Sequence, residues 1–251
     1  PRFGPVFDEA GASDLLPAGV RSCAVVSDRP VLASAIAGVL ETRSVVCHRL
    51  EPTQGFADAA KALRGVVDSA GPIDAIAVVP SGAPADHTGR EWERVLAEHN
   101  GITDQVHADA GWARAAADYA ASVARPIRLV TLVDATTAGG RSRAQAAAQL
   151  ARVSGGTTEG RVSAFAAGIE ASDKAASRLV GELVAHLLAE PAAGVLAGAE
   201  LVVGAGWLGL RSHPRPMGTL TYGGALLPDW FDGALREVVG SVGAVSATES
   251  V

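Results

Sequence analysis

Short apolar runs alternate with longer amphipathic segments along most of this chain, and that alternation constrains the fold more than any other feature. Each apolar run is rich in Val, Ala and Ile, as buried strands are, and each intervening segment is long enough to hold a helix. Connections of that length join parallel strands through right-handed crossovers. The predicted strands are 21–26, 44–47, 73–79, 127–133, 161–165 and 200–203. The pattern therefore predicts a three-layer, doubly wound parallel α/β sheet, Rossmann-like or flavodoxin-like, with about six strands.

The amphipathic segments predict helices between these strands. Their apolar residues recur at helical spacing, Pro30 suits a first helical position, and Ser172 suits an N-cap. The predicted helices are 30–40, 56–67, 92–123 with a break at Gly101, 141–153 and 172–188. We interpret 1–19 as a flexible arm, 20–210 as the α/β domain, and 211–251 as an extension with one short helix and a frayed tail.

Composition excludes several classes of function. The net charge of −6 and the pI of about 5.5 give no footprint for nucleic acid. No apolar run reaches the roughly 18 residues of a membrane span, and the six histidines do not form a metal-binding pattern. His99 and His107, eight positions apart, come nearest to one. The two cysteines lie in apolar runs, which favours buried free thiols, and we expect a cytoplasmic protein.

Four segments, in order, resemble the short-chain dehydrogenase/reductase family. They are GPIDAIAVVPSG, EWERVLAEHNGITDQ, PIRLVTLVDAT and VGELVAHLLAEPAAGVLAGAELVVGAG. The resemblance covers about 21–206. Within the family, the layout is most similar to the catalytically silent, flavodoxin-like amino-terminal domain of large bacterial 3-ketoacyl reductases. The resemblance implies a Rossmann-type sheet and, in active members, NAD(P)-dependent oxidoreductase chemistry.

The loop that binds the dinucleotide in the family is altered here. Its three glycine positions fall on Ser27, Val31 and Ala33. Glycines allow the backbone and a helix N-terminus to approach the pyrophosphate, whereas the β-branched Val31 fills that space and Asp28 adds a negative charge. We expect no cofactor. Arg29, beside them, is interpreted as a solvated turn residue, with binding of a lone anion as the alternative.

The family's catalytic residues are also missing. Asp134 takes the position of the catalytic serine, and the shortened segment from there to Val162 contains neither the tyrosine nor the lysine that the reaction requires. The chain's tyrosines are Tyr119, in a predicted helix, and Tyr222, near the carboxyl end. No metal site is expected, and we find no strong catalytic candidate.

A second contraction affects the sheet. Only one helix fits between the second and third predicted strands, where the family has a further strand–helix unit. We therefore expect the strand order 2-1-3-4-5-6, with no strand between Leu50 and Gly71.

Polar residues at the predicted strand ends could still form a pocket. Asp134 and Asn100 are the weak catalytic candidates, and Ser81, Thr136 and Thr137 are the ligand-binding candidates. Polar loop ends also occur without a ligand, and Asp134 with Thr136 could simply form a turn or a cap. Arg211, His213 and Arg215 could hold a phosphate or lie in a solvated loop.

The leading functional hypothesis is a non-redox structural or partner subunit, or a domain, in acyl or polyketide metabolism. The alternatives are an atypical NAD(P)-dependent ketoreductase with a rearranged site and a small-ligand binding protein. For the first hypothesis we expect a homo-oligomer or a related subunit as partner, packed through alanine faces on the helices 104–123 and 141–153. The opposing interpretation is that these faces cover the sheet. No nucleic acid or membrane partner is expected.

Overall fold

The computed structural model describes residues 19–53, 55–79 and 90–212, and the side chains of 173–175 and of Ser212 lie outside this description. Its single sheet has seven strands in the order β2-β1-β3-β4-β5-β6-β7. The strands are β1 (Ser22–Val26), β2 (Val46–Leu50), β3 (Ala75–Val78), β4 (Ile127–Asp134), β5 (Val162–Ile169), β6 (Glu200–Gly204) and β7 (Trp207–Ser212). The first six are mutually parallel, and β7 runs antiparallel to β6.

Within these described ranges, six α-helices connect the strands. They are α1 (Pro30–Thr42), α2 (Phe56–Ala70), α3 (Glu91–Glu98), α4 (Ile102–Val123), α5 (Ala138–Thr157) and α6 (Asp173–Ala189), and a 3₁₀ turn follows at Pro191–Leu196. The predicted break between α3 and α4 is at Gly101, whose φ of 73° suits glycine. Neither end of the chain is described: 1–18 and 213–251, which contain most of the predicted arm and extension, lie outside the described residues.

The six predicted parallel strands and their order are confirmed. Between Leu50 and Gly71, the described residues contain α2 and no strand. The sheet therefore follows the flavodoxin-like order, in which β1 lies between β2 and β3. The inner strands β3 and β6 are buried along their whole length, whereas every residue of the edge strand β2 is exposed or half-buried.

The helices form two layers, one on each face of the sheet. One core cluster joins α1 and α6 to the sheet, and the other joins α2, α4 and α5 to the opposite face. In β1 and β3, successive core residues alternate between the two clusters. Ala24 and Val26 belong to one and Cys23 and Val25 to the other, as the two-residue period of a strand requires.

The prediction that every crossover is right-handed was wrong for one unit. Both α1 and α6 pack on the same face, but α1 leads from β1 to β2 and α6 leads from β5 to β6, in the opposite direction along the sheet. Two crossovers on one face that run in opposite directions have opposite hands. The crossovers through α2, α4 and α5 share the hand of α1, so the β5–α6–β6 unit is the exception to a strong general rule.

The seventh strand was not predicted. It lies beyond the last predicted strand, 200–203: Trp207–Ser212 pairs with β6 as a hairpin, with Gly206 in the turn at a φ of 83°. The indole of Trp207 lies over Gly204, where an added Cβ would be 1.8 Å from its Nε1. Three glycines within six residues obscured the alternating pattern of this strand, because glycine is rare in strand interiors.

The predicted association faces were wrong as well. The alanine faces on both helices lie inside the fold, against the sheet and against each other. Their buried residues are Ala144, Ala147, Ala148 and Ala151 on α5 and Trp112, Ala115 and Ala116 on α4. The opposing interpretation was correct for these faces: small side chains let the two helices lie close to the strands that they cover.

Candidate functional site

The loops that follow β1 and β4 are joined by an ion pair at the carboxyl edge of the sheet. Arg29 Nη1 lies 3.2 Å from Asp134 Oδ2, and the two side chains are only 14% and 12% exposed. Because β3 lies between β1 and β4, this pair connects loops of two strands that flank a third. The interpretation of Arg29 as a solvated residue was therefore wrong, since a carboxylate distant in sequence holds it in place.

The β4–α5 junction uses its polar residues internally. Asp134 Oδ1 accepts hydrogen bonds from the backbone N–H of Thr136, at 3.1 Å, and from its hydroxyl, at 2.5 Å. Thr137 is the N-cap of α5, and its hydroxyl accepts from the Gly140 N–H at 3.0 Å. The structure thus brings together three of the predicted site residues, in the arrangement of a turn and a cap.

A carboxylate from another helix completes the start of α5. Glu98 Oε2 accepts from the backbone N–H of Ala138 at 2.8 Å, where a negative charge also interacts favourably with the helix dipole. Glu98 could not be identified from the sequence, because its partner is 40 residues away and no local pattern marks it. Asn100 is exposed in the turn that follows α3, and Ser81 lies outside the described residues.

The altered cofactor loop is ordinary in geometry. The Ser27 hydroxyl accepts from the Arg29 N–H at 2.9 Å, and α1 then begins at Pro30. Val31 is 53% exposed in the first turn of α1, whereas Ala33 is buried in the core. A β-branched side chain therefore lies at the surface of the turn whose N–H groups would have to face a pyrophosphate.

Other predicted candidates are engaged elsewhere. The Tyr119 hydroxyl accepts from the Ile73 N–H at 3.1 Å, close to the start of β3 and thus at the amino edge of the sheet, opposite to Asp134. His99 contacts the Val95 carbonyl and the Ser142 hydroxyl, whereas His107 packs near the ring of Phe56. Among the described residues, no group of three or more His, Cys, Asp and Glu could hold a metal ion.

Two further predictions concern Arg211 and the cysteines. Arg211 forms ion pairs with Glu170 and Glu200, while His213 and Arg215 lie outside the described residues, as does Tyr222. Cys23 and Cys47 are free thiols that face each other in register on β1 and β2. Burial raises the pKa of the half-buried Cys47 to about 11, so its reactive thiolate is scarce at neutral pH.

A cavity of about 480 Å³ lies beside this edge, at the carboxyl ends of β1, β2 and β3 and against α4. This is the place where the strand order changes direction, since the chain leaves β1 for β2 on one side and returns to β3 on the other. Open α/β sheets bind ligands at such a point. A pocket at the strand ends was predicted from the sequence but with other residues, and none of the four site candidates within the described ranges, Asn100, Asp134, Thr136 and Thr137, lines this cavity.

A buried ion pair forms part of the cavity lining. Arg143 of α5 donates from Nε to Asp109 Oδ2 at 2.9 Å and from Nη2 to Asp109 Oδ1 at 2.8 Å, so the contact with α4 is bidentate. Asp109 is 2% exposed and Arg143 6%. Burial raises the pKa of Asp109, and the neighbouring guanidinium opposes part of that shift. The pair fixes α4 relative to α5, because two parallel hydrogen bonds define both distance and orientation.

Comparison with known proteins relates the fold, but not the sequence, to an enzyme family. No family model matches the sequence, and no curated protein matches it. A short-chain dehydrogenase from Mycobacterium avium superposes with a TM-score of 0.60 at 14% identity, covering 88% of this chain and 96% of the other. A putative oxidoreductase from Escherichia coli gives 0.56 at 12% identity, covering 74% and 96%. An acetoin dehydrogenase from Salmonella typhimurium gives 0.54 at 12% identity, again covering 74% and 96%.

None of the described helices is long and apolar enough to cross a lipid bilayer. Together with the mostly parallel sheet and its flanking helices, the superpositions show that this chain has the Rossmann-like fold of the short-chain dehydrogenases.

Proposed function

We propose that this protein has the short-chain dehydrogenase fold without nicotinamide redox chemistry, and that it serves as a structural or partner subunit in acyl or polyketide metabolism. The observation that carries the proposal is the ion pair between Arg29 and Asp134. By resemblance to the family, these residues belong to the cofactor loop and to the catalytic serine position. Here each neutralises the other, so neither charge is available to a phosphate or to a reacting carbonyl.

The surroundings of the ion pair support the same proposal. Val31 is exposed where the family's resemblance implies glycine, and a valine side chain there obstructs close approach of a pyrophosphate. The one tyrosine among the described residues, Tyr119, lies at the opposite edge of the sheet. Proton transfer to a carbonyl requires a donor within hydrogen-bond reach, and Tyr119 cannot supply it at the Asp134 edge.

Titration calorimetry with NADH and with NADPH tests the absence of cofactor binding. We expect no binding in the micromolar range for either nucleotide. The variant Arg29→Ala/Asp134→Ala should bind no better, since Val31 and Asp28 remain. A dissociation constant near 1 μM, about −8 kcal/mol, would overturn the proposal. It would favour the alternative of an atypical oxidoreductase with a rearranged site.

The partner role has support in one exposed helix face. The described side chains of α3 include no buried residue, and Trp92 and Leu96 are 57% and 63% exposed. Exposed apolar side chains one helical turn apart are typical of protein contacts. Light scattering at tens of micromolar, before and after Trp92→Glu/Leu96→Glu, tests self-association. Arg114→Glu, on the exposed side of α4, serves as the control. A monomer in all three samples, with no partner recovered by cross-linking in source extracts, would refute the role.

Small-ligand binding is a second candidate function, which the cavity beside α4 favours. Its volume of about 480 Å³ lies within the range of small-molecule sites.

A further inference from the structure

The last strand of the sheet, β7, has one open edge. Among the residues that the structure describes, it pairs with β6 on one side and with no strand on the other. Its apolar side chains Trp207, Leu208 and Leu210 are 47%, 48% and 51% exposed. The edge strand at the other end of the sheet, β2, has only one large exposed hydrophobic side chain, Val46. An exposed apolar edge strand is a template for pairing with another strand.

The two leucines of β7 continue a buried apolar row of β6. Leu208 lies opposite Val203 and Leu210 lies opposite Leu201. Both β6 residues belong to the core cluster that α1 and α6 cover. Directly opposed residues of an antiparallel pair lie on the same face of the sheet, so the leucines extend this core beyond the part that the helices bury. The core of this face therefore ends in an apolar edge.

The open backbone groups of β7 come from the same two leucines. Gly204 and Trp207 close a two-residue hairpin, and a hairpin of this length closes on a pair that exchanges both hydrogen bonds. Successive residues of a strand direct their N–H and C=O groups to alternate sides. Gly209 therefore bonds toward β6, whereas Leu208 and Leu210 direct their backbone groups to the open edge.

The order of residues along β7 fits a second copy of the same strand. In an antiparallel pair with a two-fold axis at Gly209, Leu208 of each copy lies opposite Leu210 of the other. In this register the outward backbone groups of one copy meet the outward groups of the other, and leucine packs on leucine. It is also the register in which all five residues from 207 to 211 have a partner.

The charges at this edge are complementary as well. In the same register, Trp207 of one copy lies opposite Arg211 of the other, where the guanidinium can stack on the exposed indole. Arg211 is the one charged residue of β7, and Glu170 and Glu200 of its own chain neutralise it. Edge strands that resist pairing carry an unmatched charge, often a lysine. The edge of β7 therefore brings no unmatched like charges together when two copies meet.

We propose that two copies of this chain associate through β7, in antiparallel register about Gly209, and so join their sheets into one. Backbone hydrogen bonds and the leucines of both copies form the contact. The proposal deepens the partner role and rests on it: it names a second copy as the partner and β7 as the surface. The exposed face of α3 is not part of this contact.

Sedimentation velocity of the full chain at tens of micromolar tests the proposal. We expect a dimer of twice 25.3 kDa. Leu208→Lys/Leu210→Lys places ammonium groups along the open edge and should raise the dissociation constant of the dimer at least about tenfold, with circular dichroism unchanged. Val46→Lys, on the edge strand at the other end of the sheet, is the matched control and should leave the dimer as it is.

Two results would overturn the proposal while separating it from the partner role. The first is a monomer of the unmodified protein at these concentrations, which leaves a different protein as the only possible partner. The second is a dimer that Leu208→Lys/Leu210→Lys leaves intact. If Trp92→Glu/Leu96→Glu or Val46→Lys dissociates that dimer instead, the partner role stands and the contact through β7 is refuted.

Gly209→Cys tests the register and does not depend on the lysine variant. An added Cβ at this position approaches only the ring of Trp207, a side chain that can shift. Cysteines on the two-fold axis would have Cα atoms about 4.5 Å apart, within the roughly 4.4–6.8 Å that a disulfide spans. Mild oxidation should therefore give a covalent dimer. The unmodified protein, with Cys23 buried and Cys47 half-buried, should give none. Absence of the covalent dimer in Gly209→Cys would overturn the proposal even if the lysine variant failed to fold.

Discussion

The β1–α1 and β4–α5 junctions lie at the same edge of the sheet and are joined by one ion pair, yet they are built differently. At β4–α5, a threonine cap, the Glu98 carboxylate and two glycines in close contact with other backbone fix the start of the helix. At β1–α1, the first turn begins with proline, has no side-chain cap and carries an exposed valine. Both junctions are functional in the family that the chain resembles. Here the β4–α5 junction is a packed structural joint and the β1–α1 junction an ordinary surface turn.

The glycine pair at the β4–α5 junction has a role in packing. Gly139 and Gly140 could be mistaken for a ligand-approach loop, but an added Cβ would lie 1.9 Å from the Glu98 carbonyl oxygen and 1.9 Å from the Asp134 carbonyl oxygen, respectively. No side chain larger than a hydrogen atom fits at either position, because the end of α3 and the end of β4 lie in direct contact with the start of α5. The glycines therefore serve packing of the protein against itself.

The largest expected loss of stability concerns the buried ion pair that attaches α5 to α4. Asp109→Ala would leave the buried guanidinium of Arg143 without its partner, and breaking a buried ion pair in this way costs about 3–5 kcal/mol. We expect urea denaturation to show a loss of that size. Asp109→Ala/Arg143→Met, which removes both charges, should recover most of it. If the single variant loses less than about 1 kcal/mol, the pair does not anchor α5 and the contrast between the junctions weakens.

The next largest loss of stability is expected from a substitution in the β4–α5 junction itself. Gly140→Ala places a methyl group against the Asp134 carbonyl, and overpacking of this kind costs about 1–3 kcal/mol or more. Gly65→Ala, in the exposed middle of α2 with open space around it, is the matched control. It should stabilise the protein by about 0.5–1 kcal/mol through helix propensity. Denaturant midpoints moving in opposite directions would confirm the packing role, whereas stabilisation by both substitutions would contradict it.

Whether a contact at the carboxyl edge of the sheet could be predicted depends on how many positions separate the two residues in sequence. The six parallel strands followed from local apolar runs, and their order followed from the family resemblance together with the short link before Ile73, whereas β7 was not predicted. The contacts of Glu98 with Ala138 and of Asp109 with Arg143 span 40 and 34 positions, and no local spacing marks them. The start of α5 was placed three residues late at Arg141, because Ala-Gly-Gly is a poor helix sequence that tertiary contact makes suitable.

The alanines of α5 show a second limit of prediction from sequence. Their spacing correctly predicted a face of small side chains, but a face pattern does not say what covers it. Only the three-dimensional arrangement shows that Ala147 and Ala151 contact the protein's own core. The cavity residues illustrate the same point, since Glu51, Asp104 and Arg143 come from three elements and meet only after folding.

A smaller effect is expected for the ion pair that joins the two junctions. The Arg29–Asp134 contact is monodentate and retains some exposure to solvent, so its coupling energy should be about 1 kcal/mol or less. A double-mutant cycle with Arg29→Ala and Asp134→Ala, measured by urea denaturation, gives that energy directly. A coupling above about 3 kcal/mol would mean that the β1–α1 junction is fixed as firmly as β4–α5, so that the two junctions do not differ in rigidity.

The smallest effect is expected at the surface of the first junction. Val31 is 53% exposed in the first turn of α1 and belongs to neither core cluster, so its substitution removes little packing. Valine is a weaker helix former than alanine, since its branched side chain loses rotamer freedom. Val31→Ala should therefore stabilise the protein by a few tenths of a kcal/mol, up to about 0.7. Buried Leu32, one position later in the same turn, provides the control: Leu32→Ala should cost about 2–5 kcal/mol. A loss of more than about 1 kcal/mol from Val31→Ala would show that the valine packs against another part of the protein. The first junction would then be a second packed joint, and the absence of the cofactor glycine would have a structural cause instead of reflecting an unconstrained turn.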